Sequence, residues 1–271
     1  MDGSNGPLTP TRLTLAKKHG VYLERAAPSA LSGHVECLWS HEMPKGPAAR
    51  MAVVPDGCVD LLWSDYGLVV VGPDRTAAFP VIAPGTTVVG LRFRPGVAAS
   101  FLRTALSEIT GNLVPLDAFW GRHARELDAR LHEATGSTKR GEILAEAVLQ
   151  RLADVNPPPS DVAACLAHLE RHRHSEDNPI RSLAASNGTS ERTLRRRCHE
   201  HFGYGAKTLD RILRLQRFLD ACRSEPSINL GALAFDAGYA DQAHLTREAR
   251  ALTSLSPAEI RSQLSPHRQA A

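Results

Sequence analysis

Two short stretches of the chain carry side chains whose types and spacing suit the reading of a polar edge. SERTLRRRCHE places Arg192, Arg195, Arg196 and His199 at helical spacing, and DQAHLTREA does the same for Gln242, Ala243, Thr246 and Arg247. Residues three and four apart share one helix face, so each set forms a surface if its stretch is helical. These are not the Glu and Lys of an ordinary solvated face. Arginine pairs bidentately with guanine and glutamine with adenine, while Ala or the Thr methyl can meet a thymine methyl. The chemistry on offer is recognition of base edges.

Such faces work only if helices hold them outward, and an internal repeat supplies that frame. Leu183, Ala184 and Gly188 match Leu233, Ala234 and Gly238 fifty residues later. After one extra residue in the second turn, Ser190, Leu194 and Cys198 match Asp241, Leu245 and Ala249. Each copy reads as a short helix, a glycine turn, a capping Ser or Asp, and a second helix. Leu194/Cys198 and Leu245/Ala249 are i,i+4 pairs that face inward, which turns the two polar sets outward. Ser190 and the helix N-termini, with Arg211 and Arg214 on the following long helix, are expected to hold phosphates. Residues 190–217 contain eight basic and three acidic side chains, a local excess that suits a polyanion.

The C-terminal region resembles the AraC/XylS family of transcription regulators. Gly238, Tyr239, Asp241, Gln242, His244, Leu245, Arg247 and Arg250 meet the family's second-unit pattern, roughly G-F-x-D-Q-S-H-F-x-R-x-F-K. Ser256-Pro257 followed by Arg261 matches its T-P-x-x-Y-R ending, and Gly203 to Leu209 takes the place of G-x-S-P-x-x-Y in the first unit. The resemblance covers about residues 162–264. Ala249 stands for the usual Phe, Ser254 for a Gly and Ala206 for a Pro. It implies two helix-turn-helix units joined by a long helix, with Arg192, Arg195, Arg196, Gln242, Thr246 and Arg247 as base readers. It also implies a first domain that senses a small molecule, dimerises or both, often as a cupin-like β-barrel. RNA polymerase and a second copy of the chain are the further partners it suggests.

The first third agrees with a β-rich domain. HVECLWS, RMAVVPDG, CVDLLWS, GLVVVGP and TTVVGLRF are short Val-, Leu- and aromatic-rich runs separated by Gly, Pro and Asp. VVPDGCVDLLW and GLRFRPG are similar to the first domain of a subgroup of AraC-like regulators from GC-rich, actinobacteria-like genomes. From Pro95 the spacing becomes helical, and the stripe Ile143, Ala147, Leu149, Leu152 suits either a barrel contact or a dimer seam. Asn156 to Ser160, with three prolines, then breaks the helix. The expected organisation is therefore α+β in two domains. Residues 1–156 form the barrel-like or cupin-like domain with helices after about 97, residues 157–160 a linker, and residues 161–271 the all-helical domain, with Asp161 helping to cap its first helix.

Four constellations in the first domain could carry chemistry. His34, Cys37 and His41 are metal-ligating types, but strand alternation puts His34 opposite the other two. Cys58 beside Gly57 has no Lys, Arg or His next to it to lower its pKa, so a bystander thiol is expected. Arg92 and Arg94 share a strand face and would hold an anionic effector or pair with Asp60 or Asp74. Trp39 and Trp63 serve either as core or as an effector cage.

Composition bounds the rest. Five scattered cysteines without a CxxC pair argue against a disulfide framework and for a reducing cytoplasm. The first twenty residues lack an apolar core of signal-peptide length, and no stretch suggests a membrane span. No HExxH, GxSxG, P-loop or GxGxxG is present, so an enzyme is not expected, and neither a cofactor nor a metal is implied. The competing classes are a cupin-like enzyme or a metal or thiol sensor with a DNA-binding anchor, and a nonspecific nucleic-acid binder. The second is opposed by Gln242 and Thr246, where a backbone binder would carry lysine throughout.

Overall fold

β-branched and aromatic runs bounded by turn residues form the strands, and the computed structural model describes residues 13–46, 50–171, 179–225 and 227–265. Residues 1–12 of the leader reading, and 172–174 of the expected helix DVAACLAHLERHRH, lie outside these. The described strands are β1 (Thr14–Leu15), β2 (Val21–Ala26), β3 (Val35–Glu42), β4 (Met51–Ala52), β5 (Val59–Ser64), β6 (Gly67–Val71), β7 (Thr87–Phe93) and β8 (Leu113–Pro115). Six of them make one antiparallel sheet in the order β2-β3-β7-β5-β6-β8, and β1 pairs in parallel with β4. The edges β2 and β8 do not pair with each other, so the expected β-rich domain is built on an open antiparallel sheet.

The period of two in the strands gives the sheet two different faces. Val59, Leu61, Trp63, Val89, Leu91 and Phe93 point into the main core. That core is closed by α1 (Ala98–Leu102), α2 (Asp117–Trp120), α3 (Arg122–Glu133) and α4 (Ser137–Arg151). Burying each large apolar side chain contributes roughly 1.5–3 kcal/mol. In α4, Ile143, Leu144 and Val148 are buried, whereas Leu149 is 42% exposed, so the predicted stripe serves the sheet through only part of its length. The opposite face carries Tyr22, Glu24, Trp39, Asp60 and Arg92. Trp39 lies across Gly90, which leaves no room there for a Cβ.

The chain is nonhelical through the three prolines and re-enters helix at α5 (Ser160–Arg171). It continues as α6 (Pro179–Ser186), α7 (Glu191–Phe202), α8 (Ala206–Ser224), α9 (Leu230–Ala237), α10 (Gln242–Thr253) and α11 (Pro257–Leu264). Two apolar clusters hold these helices, one around Leu194, Cys198 and Phe202, the other around Phe218, Leu245 and Ile260. The second also takes in Leu15 from β1, so the early chain contributes to the C-terminal core. Asp161 does not act as an exposed cap. It is buried and accepts a hydrogen bond from Arg197 at 2.6 Å, tying α5 to α7.

The sheet domain packs directly on the helical one, and Asp74 sits near that junction. Burial, with the Asp56 and Asp60 carboxylates, pushes its carboxyl from the ordinary 3.8 up to about 6. The folded protein therefore binds more protons than the unfolded chain between those values, and Asp74 lowers stability as pH rises from about 4 to about 6. Asp74→Asn removes this contribution. The expected result is a melting-temperature advantage of the variant over the parent that grows across that range and levels off above it. A pH-independent difference would contradict the assignment.

Candidate nucleic-acid interface

Each helical unit is built by local rules. In the first, α6 ends before Gly188 at φ +62, and the Ser190 hydroxyl accepts the Thr193 N–H at 3.1 Å to start α7. In the second, Gly238 closes α9 at φ +93, and Asp241 accepts the His244 N–H at 2.6 Å to start α10. Leu194, Cys198, Leu245 and Ala249 are fully buried, as their spacing predicts. The departures from the family pattern have local consequences. Ala206 opens α8, a position that proline also suits. Ser254 caps α10 at φ +62, a left-handed conformation that costs a non-glycine residue about 1 kcal/mol.

With those pairs inward, the expected readers are outward. Arg192, Arg195, Arg196 and His199 on α7 are exposed, as are Gln242, Ala243 and Arg247 on α10. Arg195 reaches Glu191 at 3.5 Å and Arg196 reaches Glu200 at 3.1 Å. Exposed i,i+4 pairs of this kind stabilise by only about 0.3–0.5 kcal/mol, so they yield readily to a stronger partner. Thr246 is half-buried and donates its hydroxyl to the Gln242 carbonyl at 2.8 Å. Its methyl is the part left to meet a ligand. Sequence reasoning left Arg250 out of the reader set. It is exposed, one turn beyond Thr246 and Arg247 on the same face, and the i,i+3 spacing from Arg247 is the signal that could have found it.

The two arginines expected to hold phosphate from α8 have other partners. Arg214 is 8% exposed, pairs with Asp210 at 2.7 Å and donates to the Gly238 carbonyl at 3.4 Å, with its guanidinium over the Tyr239 ring. Arg211 is half-buried and donates to Glu248 at 2.6 Å. Arg217 likewise donates to the carbonyls of Ala237 and Leu169. Phosphate contact by Arg214 is therefore corrected. Its charge is used inside the domain, where it fixes the turn between α9 and α10 to α8. The exposed arginines among the expected readers lie on α7 and α10.

In the sheet domain the expected effector residues separate. Trp63 is fully buried, with Arg140 stacked 4.1 Å from its ring centre, which makes it core rather than cage. Trp39 donates its indole N–H to Asp60 at 3.2 Å. Arg92 donates to both Asp60 oxygens at 3.0 Å and lies 3.2 Å from Asp56, while Arg94 pairs with Glu36 at 2.7 Å. Burial works against the Arg92 charge, but Asp60 and Asp56 outweigh it and hold the guanidinium protonated. Both arginines line a cleft of about 700 Å³ between the sheet's second face and α8. Each of the two is already matched by a carboxylate, so neither is free for a simple anion. Pairing of Arg92 with Asp60 is found; pairing with Asp74 is not. Burial and Asp56 push the Cys58 thiol up, and burial pushes Cys37 up to about 11, so neither is poised as a thiolate. Among the described residues no group of three His, Cys, Asp or Glu side chains could hold a metal ion. Nor is any described helix long and apolar enough to cross a membrane.

Comparison with known proteins follows the same division. Residues 24–115 match the model of a domain of unknown function, DUF6597, and residues 183–263 match that of a helix-turn-helix domain. No curated protein sequence matches the chain. Among solved structures, the C-terminal domain of AraT, a response regulator from Geobacillus stearothermophilus, aligns at 16% identity with a TM-score of 0.39, covering 43% of this chain and 95% of that one. An apo form of ToxT from Vibrio cholerae aligns at 10% identity with a TM-score of 0.46, covering 89% of this chain and all of that one. ToxT with a bound unsaturated fatty acid gives 10% and 0.43, covering 89% and 98%. The helix-turn-helix match falls on the stretch where two capped units, a joining helix and the second-unit motif occur together: residues 183–263 are similar to a helix-turn-helix domain.

Proposed function

We propose that the chain is a sequence-specific DNA-binding transcription regulator, not an enzyme, with α7 and α10 entering adjacent major-groove segments. The observation that carries this reading is the pairing of two exposed faces, Arg192/Arg195/Arg196/His199 and Gln242/Ala243/Thr246/Arg247, each on a capped helix whose other face is fully buried. The helix N-termini, with Ser190 and Asp241 at their caps, position the backbone phosphates, and side chains further along each helix meet base edges. The division at residues 157–160 separates this reader from a sheet domain that we assign to sensing a small molecule. RNA polymerase and a second copy of the chain are its proposed further partners.

Selection of binding sites from random duplex DNA, followed by titration of the winner and a scrambled duplex at two salt concentrations, tests the reading. The expected result is a discrete site preferred at least about a thousandfold over scrambled DNA. No enriched motif, with affinity for both duplexes collapsing equally as salt rises, would mean backbone attraction alone.

A further inference from the structure

One loop of the sheet domain touches the C-terminal end of both reading helices. It leaves β6 at Pro73, where a Cβ on Gly203 would lie 2.7 Å from the Pro73 ring and also meet the Thr110 hydroxyl. Gly203 ends α7 at φ +80, and Thr110 sits 3.1 Å from its carbonyl, donating either to it or to Leu106 at 2.9 Å. The preceding turn of α7 is seated as well. His201 Nδ1 lies 3.0 Å from the Gly96 carbonyl, and the Phe202 ring packs so close to Gly96 that a Cβ there would be 2.9 Å away.

Four residues after Pro73, the Ala77 N–H donates to the Leu252 carbonyl at 2.7 Å. Leu252 belongs to the last turn of α10, whose carbonyls have no partner within the helix. The loop is itself anchored at both ends. Gly111 donates to the Pro73 carbonyl at 3.1 Å, and Val53 and Ala78 exchange two hydrogen bonds at 2.9 Å. A segment from Pro73 to Ala77 spans at most about 15 Å, so the two helix ends are held at a short, fixed separation. Meanwhile Arg192, Arg195, Arg196, Gln242 and Arg247 stay exposed, so the contact does not cover the reading faces.

We infer that the Pro73–Ala77 loop is a positioning element for DNA recognition, bracing α7 and α10 so that the spacing of the two base-reading faces is set by both domains. This rests on the DNA-binding reading above. It extends the determinants of operator spacing to residues that touch no DNA.

The test uses the full chain and the selected duplex, with one base pair inserted or removed between its two segments, and duplexes keeping only one segment. Two variants loosen the brace from opposite ends. Gly203→Ala wedges a methyl against Pro73 and Thr110, and Ala77→Pro removes the N–H given to Leu252. The parent is expected to prefer the native spacing by at least about tenfold. Each variant brings that preference within about threefold while single-segment affinity changes less than about twofold. Hydrogen exchange without DNA is expected to speed up in the last turn of α10 in Ala77→Pro and around residue 203 in Gly203→Ala. Retained spacing preference in both variants, equal loss on single-segment and full duplexes, or unchanged exchange in both overturns the inference. A parent that binds no duplex specifically instead removes the function proposed above, while the exchange measurement still judges the brace.

Discussion

Arg247→Ala and Arg196→Ala each bind the selected duplex about 1–3 kcal/mol more weakly than the parent, roughly 5- to 150-fold in Kd. Arg247 is exposed on α10 and makes no ion pair among the described residues, so its whole guanidinium fork is available to a base edge. Arg196 must first release Glu200, an exposed pair worth about 0.3–0.5 kcal/mol, which places it toward the lower end of the range. The loss should fall at particular base pairs. Against a panel of singly substituted duplexes, each variant becomes indifferent at the positions its arginine reads and keeps the parent's preferences elsewhere. A uniform loss across the panel, with a salt slope reduced by about one, would reassign that arginine to the phosphate backbone. Unchanged affinity would remove it from the interface.

Arg214→Ala destabilises the C-terminal domain by about 3–5 kcal/mol, because it leaves a largely buried carboxylate without its counter-charge. Asp210 is left without its counter-charge, the Gly238 carbonyl loses a donor and Tyr239 loses the cation over its ring. The double replacement Arg214→Met with Asp210→Ala removes the stranded charge and recovers much of the loss. Denaturant unfolding of the parent, the single and the double variant measures this. DNA affinity of the single variant then falls for every sequence alike, in proportion to the unfolded fraction. A single variant with parental stability and only a shallower salt dependence would return Arg214 to the phosphate-binding role that its sequence suggests.

That contrast marks where the sequence is legible. Caps, glycine turns and i,i+4 pairs are local, so Ser190, Asp241, Gly188, Gly238 and the outward faces of α7 and α10 follow from spacing alone. Arg211 was out of reach because its partner Glu248 lies 37 residues away, across a turn and another helix. Asp161 is a plausible cap by position, yet Arg197, 36 residues on, draws it inside. In the sheet domain, five runs were readable as strand-forming, but Pro55 confines the second to Met51–Ala52, and the edge strand β2 was missed because its residues are mostly exposed. Closure into a barrel depends on whether distant edges pair, which alternation along one strand does not encode.

β1 has a consequence in time. Leu15 donates its N–H to Gln263 at 2.7 Å and Gln263 returns a hydrogen bond to the Leu13 carbonyl at 3.1 Å, contacts 248 and 250 residues apart. At ordinary synthesis rates a ribosome needs roughly ten to fifty seconds to make the intervening chain. Through that interval the Leu15 side chain lacks the helical core it enters, and the strand has only its partner β4 to hold it. The helical core around Leu15 is complete only once a segment made about 250 residues earlier packs against it, so its formation waits on the synthesis of α11.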